Sequence, residues 1–275
     1  MTTRPAVRVV LVNYRCADDV EARLRSGVLS SLDEVLIVDN SSDPERVRSW
    51  ESSYGVRALL LDENVGFAAA VNAAVRKSST LAPVLLLNPD LELTSATLGA
   101  LLQALGTAPA GPDGVAPLLT DADGRVQVGA AGGPLTLGSV AAYFLLVSHL
   151  FPRVRGVFLT RRQLRIGVRA DWLCMACLLL QADAFDRFGP VPEDELVYGE
   201  DLAWGTAATQ AGARFRLLPD AVAVHARGAS GGSARWIGAF ERTVRRRVRG
   251  PRGALAVASV RIGLAARRAA GRRVV

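Results

Sequence analysis

This sequence predicts an α/β protein built on a mostly parallel central sheet flanked by helices, and two patterns carry the prediction. Strand-like and helix-like segments alternate four times in about the first hundred residues, the signature of successive βαβ units. The polar residues of that stretch fall at the carboxyl ends of the strands, as Asn13, Asp39, Asn64 and Asp90. Open sheets of this kind take their ligands beyond those ends.

The elements follow in order. Residues 7–13 (VRVVLVN) form a β-branched run that ends in a polar residue, as a buried parallel strand does. Residues 17–26 predict a helix, with Asp18 and Asp19 in its first turn where the dipole favours acids. Residues 34–39 (EVLIVD) are the second strand, closed by Asn40-Ser41-Ser42, a loop and N-cap signal. A helix over 44–52, a strand over 56–61 and an alanine-rich helix over 66–77 come next. Residues 83–87 (PVLLL) are the fourth strand, stopped by Asn88-Pro89-Asp90, and 94–105 the next helix. Further on, 171–182 is core-like and 192–201 acidic. Residues 202–211 predict a helix capped at Gly212, and 214–218 and 221–224 two short strands leading to His225.

Half of the 275 residues are apolar and 21% charged, which excludes wholesale disorder, and the 26 glycines are aperiodic, which excludes repeat architectures. The net charge of +7 is unevenly placed. Residues 236–275 hold eleven arginines against the single acid Glu241, a balance of +10, so the first 235 residues carry −3. A mildly acidic body does not grip nucleic acid. The basic tail has only Trp236 and Phe240 for base stacking, and suits an anionic membrane surface or plain solvation. The cysteines Cys16, Cys174 and Cys177 are too few and odd in number for a disulfide framework. The lone Cys174-Met-Ala-Cys177 spacing reads as buried small hydrophobes before it reads as a metal or redox site.

Residues 126–152 contain no Asp, Glu, Lys or Arg, yet glycines, a proline and polar residues make them too interrupted to span a membrane. Arg153, Arg155, Arg161, Arg162, Arg165 and Arg169 follow. The segment is either an interfacial flap rimmed with arginine or a core-packed helix followed by a solvated basic loop. The N-terminus runs straight into a strand with no signal peptide, so a cytoplasmic protein, peripheral on the inner face of the plasma membrane, is expected.

The chemistry is narrowed by elimination. There is no GxGxxG after the first strand, no GxxxxGK[ST] and no GxSxG. What remains is a set of strand-end carboxylates and amides, with Glu200-Asp201 and His225. Asp90 and His225 suit Mn²⁺, or Mg²⁺ through the carboxylate, neutralising a nucleoside diphosphate. Asp201 suits a base that takes a hydroxyl proton.

Taken in sequence, the stretches VVLVNY (9–14), VDNSS (38–42), ENVGFAAAVN (63–72), LLLNPDLEL (85–93), DWLCMACLLLQADAFDRFG (171–189), YGEDLAW (198–204) and LPDAVAVHARGAS (218–230) resemble a family 2 glycosyltransferase of the rhamnosyltransferase-like kind. The resemblance implies a GT-A, Rossmann-like fold over residues 1–235. Its nucleotide-binding half is 1–106, its acceptor and catalytic half 107–235 with the apolar insert 126–169, and 236–275 is a basic amphipathic helical extension. It implies that Asn13, Asp39, Asn64, Gly66 and Asn88 face the donor nucleotide and that Asp90 and His225 hold Mn²⁺ or Mg²⁺. Asp201 becomes the general base, with Glu200 orienting it or the acceptor. Trp172, Met175 and Trp204 become the sugar or acceptor pocket. The implied partners are a dTDP- or UDP-sugar and a glycan or polyprenyl-linked acceptor, with inversion at the sugar. Ala203, where a further acid is common, keeps open a non-catalytic nucleotide-sugar-binding protein of the same fold.

Overall fold

The computed structural model describes residues 6–41, 43–77, 82–106, 111–225 and 233–270. Ser42 and residues 226–230 of the two loop motifs lie outside the described residues.

The first half alternates as its sequence predicts: β1 (Arg8–Asn13), α1 (Ala17–Arg25), β2 (Glu34–Asp39), α2 (Pro44–Tyr54), β3 (Arg57–Leu60), α3 (Phe67–Lys77), β4 (Val84–Leu87), the short β5 (Leu91–Glu92) and α4 (Ser95–Leu105). Local chemistry sets the ends. The Asp43 carboxylate accepts from Arg46 N at 3.3 Å, Pro44 opens α2, and Gly55 closes it at φ 65°. The Thr94 hydroxyl caps α4 by accepting from Thr97 N.

The second half runs β6 (Gly114–Thr120), β7 (Ala131–Gly132), α5 (Leu137–Phe144), α6 (Val147–Leu150), α7 (Arg161–Arg165), β8 (Trp172–Leu173), β9 (Cys177–Leu180), α8 (Ala184–Phe188), α9 (Glu200–Gln210), β10 (Phe215–His225), α10 (Ser233–Arg247) and α11 (Pro251–Ala269). The two short strands expected over 214–224 are one strand. Its register against β6 shifts between Leu218 and Val222, so Pro219-Asp220 forms a bulge instead of a break.

Eight strands make one sheet in the order β3-β2-β1-β4-β9-β6-β10-β5. The pairs β1–β2, β2–β3, β1–β4 and β6–β10 are parallel, whereas β9 is antiparallel to both β4 and β6, and β5 to β10. Every residue of β1, β4, β6 and β9 is buried, as central strands covered on both faces must be.

A second apolar core lies beside the first. Val140 and Phe144 of α5, Phe158, Trp172 and Leu202 pack with Phe240 and Val244 of α10 and with Val257, Val260 and Leu264 of α11. The charge-free insert and the basic extension thus cover each other. Gly263 lets α11 approach closely, since a Cβ there would lie 2.3 Å from Phe144 O. The boundary expected at 235/236 falls inside α10.

Candidate active site

A cavity of about 430 Å³ is lined by two kinds of residue. The polar ones include Asn88, Asp90, Glu200, Asp201 and His225; the apolar ones include Tyr143, Phe158, Trp172, Met175, Trp236 and Phe240.

Topology brings the first pair together. Asp90 immediately precedes β5, which pairs antiparallel with the end of β10 so that His225 lies opposite Leu91. Asp90 Oδ1 and His225 Nε2 are 3.3 Å apart. His225 Nδ1 meets Gln127 Oε1 at 3.1 Å, while Gln127 Nε2 donates to His225 O at 2.6 Å. The amide oxygen can only accept, so this contact calls for a proton on Nδ1, and Nε2 is the ring nitrogen that faces Asp90. Metal-binding histidines use the same arrangement, with the ring nitrogen away from the metal donating to a fixed acceptor. The donor set, one carboxylate oxygen and one imidazole nitrogen, fits Mn²⁺. Among the described residues no third His, Cys, Asp or Glu joins them, so a cation there would take its other ligands from a substrate or water.

The second pair opens α9. Tyr198 and Gly199 turn the chain at φ 75° and 97°, delivering Glu200 and Asp201 to the cavity from the helix N-terminus. Asp201 Oδ1 accepts from Leu202 N at 2.7 Å, and the Cys174 thiol also donates to its carboxylate. Glu200 Oε2 is buried with no hydrogen-bond partner. Both carboxyls are pushed above the ordinary range, chiefly by desolvation, and Glu200 is raised further by the charge of Asp201. Burial likewise pushes the Cys174 thiol up, so it acts as a neutral donor.

The acidic loop before Glu200 is held from two sides. In the first half, Asn72 Nδ2 donates to Val191 O and to Glu193 Oε1, each at 2.8 Å, and Phe67 N donates to Leu196 O. From α10, Arg242 makes two bonds of 2.8 Å to Glu195, Arg246 donates to Asp194 O, and Arg247 pairs with Asp194 at 2.6 Å. Three of the arginines that look from sequence like a solvated or lipid-facing tail, Arg242, Arg246 and Arg247, are bound to the loop that leads to Glu200 and Asp201.

Several expected nucleotide contacts are placed otherwise. Asp39 is fully buried. Its Oδ1 accepts from Asn13 Nδ2 and Ser41 N, and its Oδ2 from Asp43 N. Asn13 and Asp39 therefore shape the β2–α2 loop, because a carboxylate at a strand end is first claimed by the backbone amides around it. Asn64 Oδ1 accepts from Asn40 Nδ2 and Gly66 N, so it too organises its turn. Gly66, at φ 88°, sits where a Cβ would lie 2.9 Å from Leu196 Cα, so its lack of a side chain serves contact with the acidic loop. Trp204 is a correction. It is buried in the main core against Phe185 and Phe215, with its indole donating to Gly189 O, and it does not line the cavity. Asn88, Trp172 and Met175 do line it.

Sequence reasoning missed Gln127, Cys174, Asn72 and the α10 arginines as contributors. Asn72 and Cys174 stand inside quoted motifs, but the partners of all of these residues lie about 27 to 121 residues away, beyond any local pattern.

A mostly parallel sheet with an antiparallel strand set into its middle, and carboxylates gathered beyond its strand ends, defines the GT-A class. Residues 8–122 match the family model described as Glycosyl transferase family 2. Among solved structures the chain is similar to GalNAc-T7 with UDP, GalNAc and Mn²⁺, at 14% identity and TM-score 0.56, covering 89% of this chain and 48% of that one. It is also similar to S. aureus TarS 1–349, at 14% identity and TM-score 0.53, covering 94% and 71%, and to the same fragment in complex with UDP, at 13%, TM-score 0.53, covering 93% and 70%. The chain thus spans about half the length of the GalNAc-T7 it resembles. No curated protein sequence matches it.

Proposed function

We propose that the protein is an inverting glycosyltransferase that moves a sugar from a UDP- or dTDP-linked donor to a hydroxyl of a cell-envelope glycan or lipid-linked acceptor at the cytoplasmic face of the membrane. The observation that carries the reading is the convergence of Asp90 and His225 with Glu200 and Asp201 on one cavity. The UDP and Mn²⁺ of the similar structures support a nucleotide donor and a divalent ion, Mn²⁺ or Mg²⁺; the rhamnosyltransferase-like motifs keep rhamnose among the candidate sugars.

Asp90 and His225 would hold the cation, with Gln127 fixing the imidazole tautomer and orientation. When bound, the cation supplies Lewis-acid stabilisation of the departing diphosphate. Asp201 takes the proton of the acceptor hydroxyl as its oxygen attacks the anomeric carbon from the face opposite the leaving group. A single displacement of this kind inverts the configuration. Glu200 positions the acceptor, and Trp172 and Met175 bound the pocket.

The test is calorimetric titration of the protein with UDP and dTDP, in Mn²⁺ and then in EDTA. UDP affinity is expected to fall about tenfold or more in EDTA, and Asp90→Ala to bind as weakly in Mn²⁺ as the parent does without it. Absence of binding by either nucleotide in both conditions overturns the reading.

A further inference from the structure

Between α5 and α7 the chain folds into a knuckle whose first part, residues 145–154, leaves much of its apolar surface exposed, while Val157, Phe158 and Leu159 return to the core. Leu146 turns the chain at φ 66°, a conformation leucine rarely adopts. Leu145, Leu150 and Phe151 are 45%, 73% and 60% exposed. The knuckle's flanks are fixed by specific contacts. On one side, Gln163 of α7 donates to Pro152 O and Val154 O, setting Arg162, Arg165 and the 62%-exposed Ile166 beside it. On the other, Arg267 of α11 donates to Tyr143 O and lies over the Tyr143 and Phe144 rings, which brings the last turn of α11 and Arg268 to the same place.

A run of exposed apolar residues sets this surface apart from the extension, where Arg245, Arg249 and Arg252 are likewise without an ion pair among the described residues. Arg242, Arg246, Arg247 and Arg261 are paired with Glu195, Asp194 and Glu241. Among the described residues no ion pair reaches Arg153, Arg162, Arg165 or Arg268. The segment 126–170 contains no acid at all. An exposed apolar tip ringed by unpaired guanidiniums is complementary to an anionic lipid interface, whose acyl boundary takes the tip and whose phosphates take the ring. No helix among the described residues is long and apolar enough to cross a membrane, so contact there is peripheral.

We propose that the 145–166 knuckle, together with Arg268 at the end of α11, docks the protein onto an anionic membrane surface. The proposal goes beyond the transferase reading and does not depend on it. It also bears on substrate access, because α5, Phe158 and Trp172 join the knuckle to the aromatic wall of the cavity through one continuous apolar cluster.

The test is co-sedimentation of the full chain with vesicles of phosphatidylcholine alone and of phosphatidylcholine with about one third phosphatidylglycerol. The parent is expected to pellet with the anionic vesicles only, less so as salt rises. Replacing Arg162 and Arg165 by Gln should lower the partition coefficient about thirty-fold at low salt. The double change Leu150→Asp with Phe151→Asp should remove detectable binding; both positions are exposed, so melting temperature and far-UV dichroism should match the parent. The control is Arg249→Gln with Arg252→Gln at the α10–α11 connection, roughly 20 Å along α11 from Arg267. It should bind like the parent. Equal pelleting with both vesicle types, no pelleting at all, or loss of binding in the control but not in the knuckle variants would each overturn the proposal.

Discussion

Asp201→Asn is expected to lower sugar transfer by about 10²- to 10⁴-fold while leaving nucleotide affinity within about twofold of the parent. The two readouts separate because Asp201 is paired with Leu202 N and the Cys174 thiol, and not with Asp90 or His225. The pH profile supplies a second check. Burial holds the Asp201 carboxyl above its ordinary range, and the base works only when ionised, so activity should fall as pH drops through that raised value. The stability sign is the reverse. A carboxyl that binds its proton more tightly in the fold than in the unfolded chain makes the fold less stable as pH rises through the interval between the two values. Above that interval Asp201→Asn removes a buried charge, so its melting temperature should exceed the parent's. A variant that retains most of its activity would assign proton removal elsewhere, with Glu200 next in line.

Gly199→Ala should strongly disturb the turn that carries Glu200 and Asp201. The residue sits at φ 97°, which costs a side chain about 1–3 kcal/mol, and the new Cβ would stand 2.4 Å from Thr243 Oγ1 and 3.3 Å from Thr243 Cβ. Thr243 is buried on α10, the helix whose arginines hold Asp194 and Glu195. Relieving the clash must therefore move either α10 or the turn carrying Glu200 and Asp201. A combined loss of about 3 kcal/mol, read as a fall of roughly 6–12 °C in thermal melting, is expected. Adding Thr243→Ala should restore part of it by removing Oγ1, leaving the backbone strain. A double variant no better than the single one would show that the contact is not what demands glycine.

The first half of the fold was legible because its information is local. Runs such as VRVVLVN and EVLIVD can only be buried strands, and Asn40-Ser41, Gly55 and Thr94 mark element ends by their own chemistry. The residues that meet at the cavity were legible for the same reason, since Asp90 and Asp201 stand at ends that the pattern identifies. What sequence could not yield is which groups an acid meets first. Asp39 carries the signature of a ligand-facing carboxylate, yet three neighbouring donors occupy it. Trp204 adjoins Glu200-Asp201 in sequence, but it stands two residues, about 200° of helix, beyond Leu202, so it enters the main core while Leu202 enters the other. Of the eleven arginines in the last forty residues, Arg242, Arg246, Arg247 and Arg261 meet acids 20 to 53 residues away, which no local pattern shows.

The antiparallel strand β9 also has a consequence for how the chain is made. It lies between β4 and β6 and pairs with both, while β4 and β6 do not pair with each other. As the chain leaves the ribosome, β1 to β4 can assemble as a parallel unit, but the open side of β4 waits for residues 177–180, some ninety positions later. Until then the fully apolar β4 presents an unpaired edge, the kind of surface that recruits other chains. β9 is thus the keystone of biogenesis. A chain halted before it should be prone to aggregation, and a chain released after it can complete the sheet by adding β6 and β10 to a template that already exists.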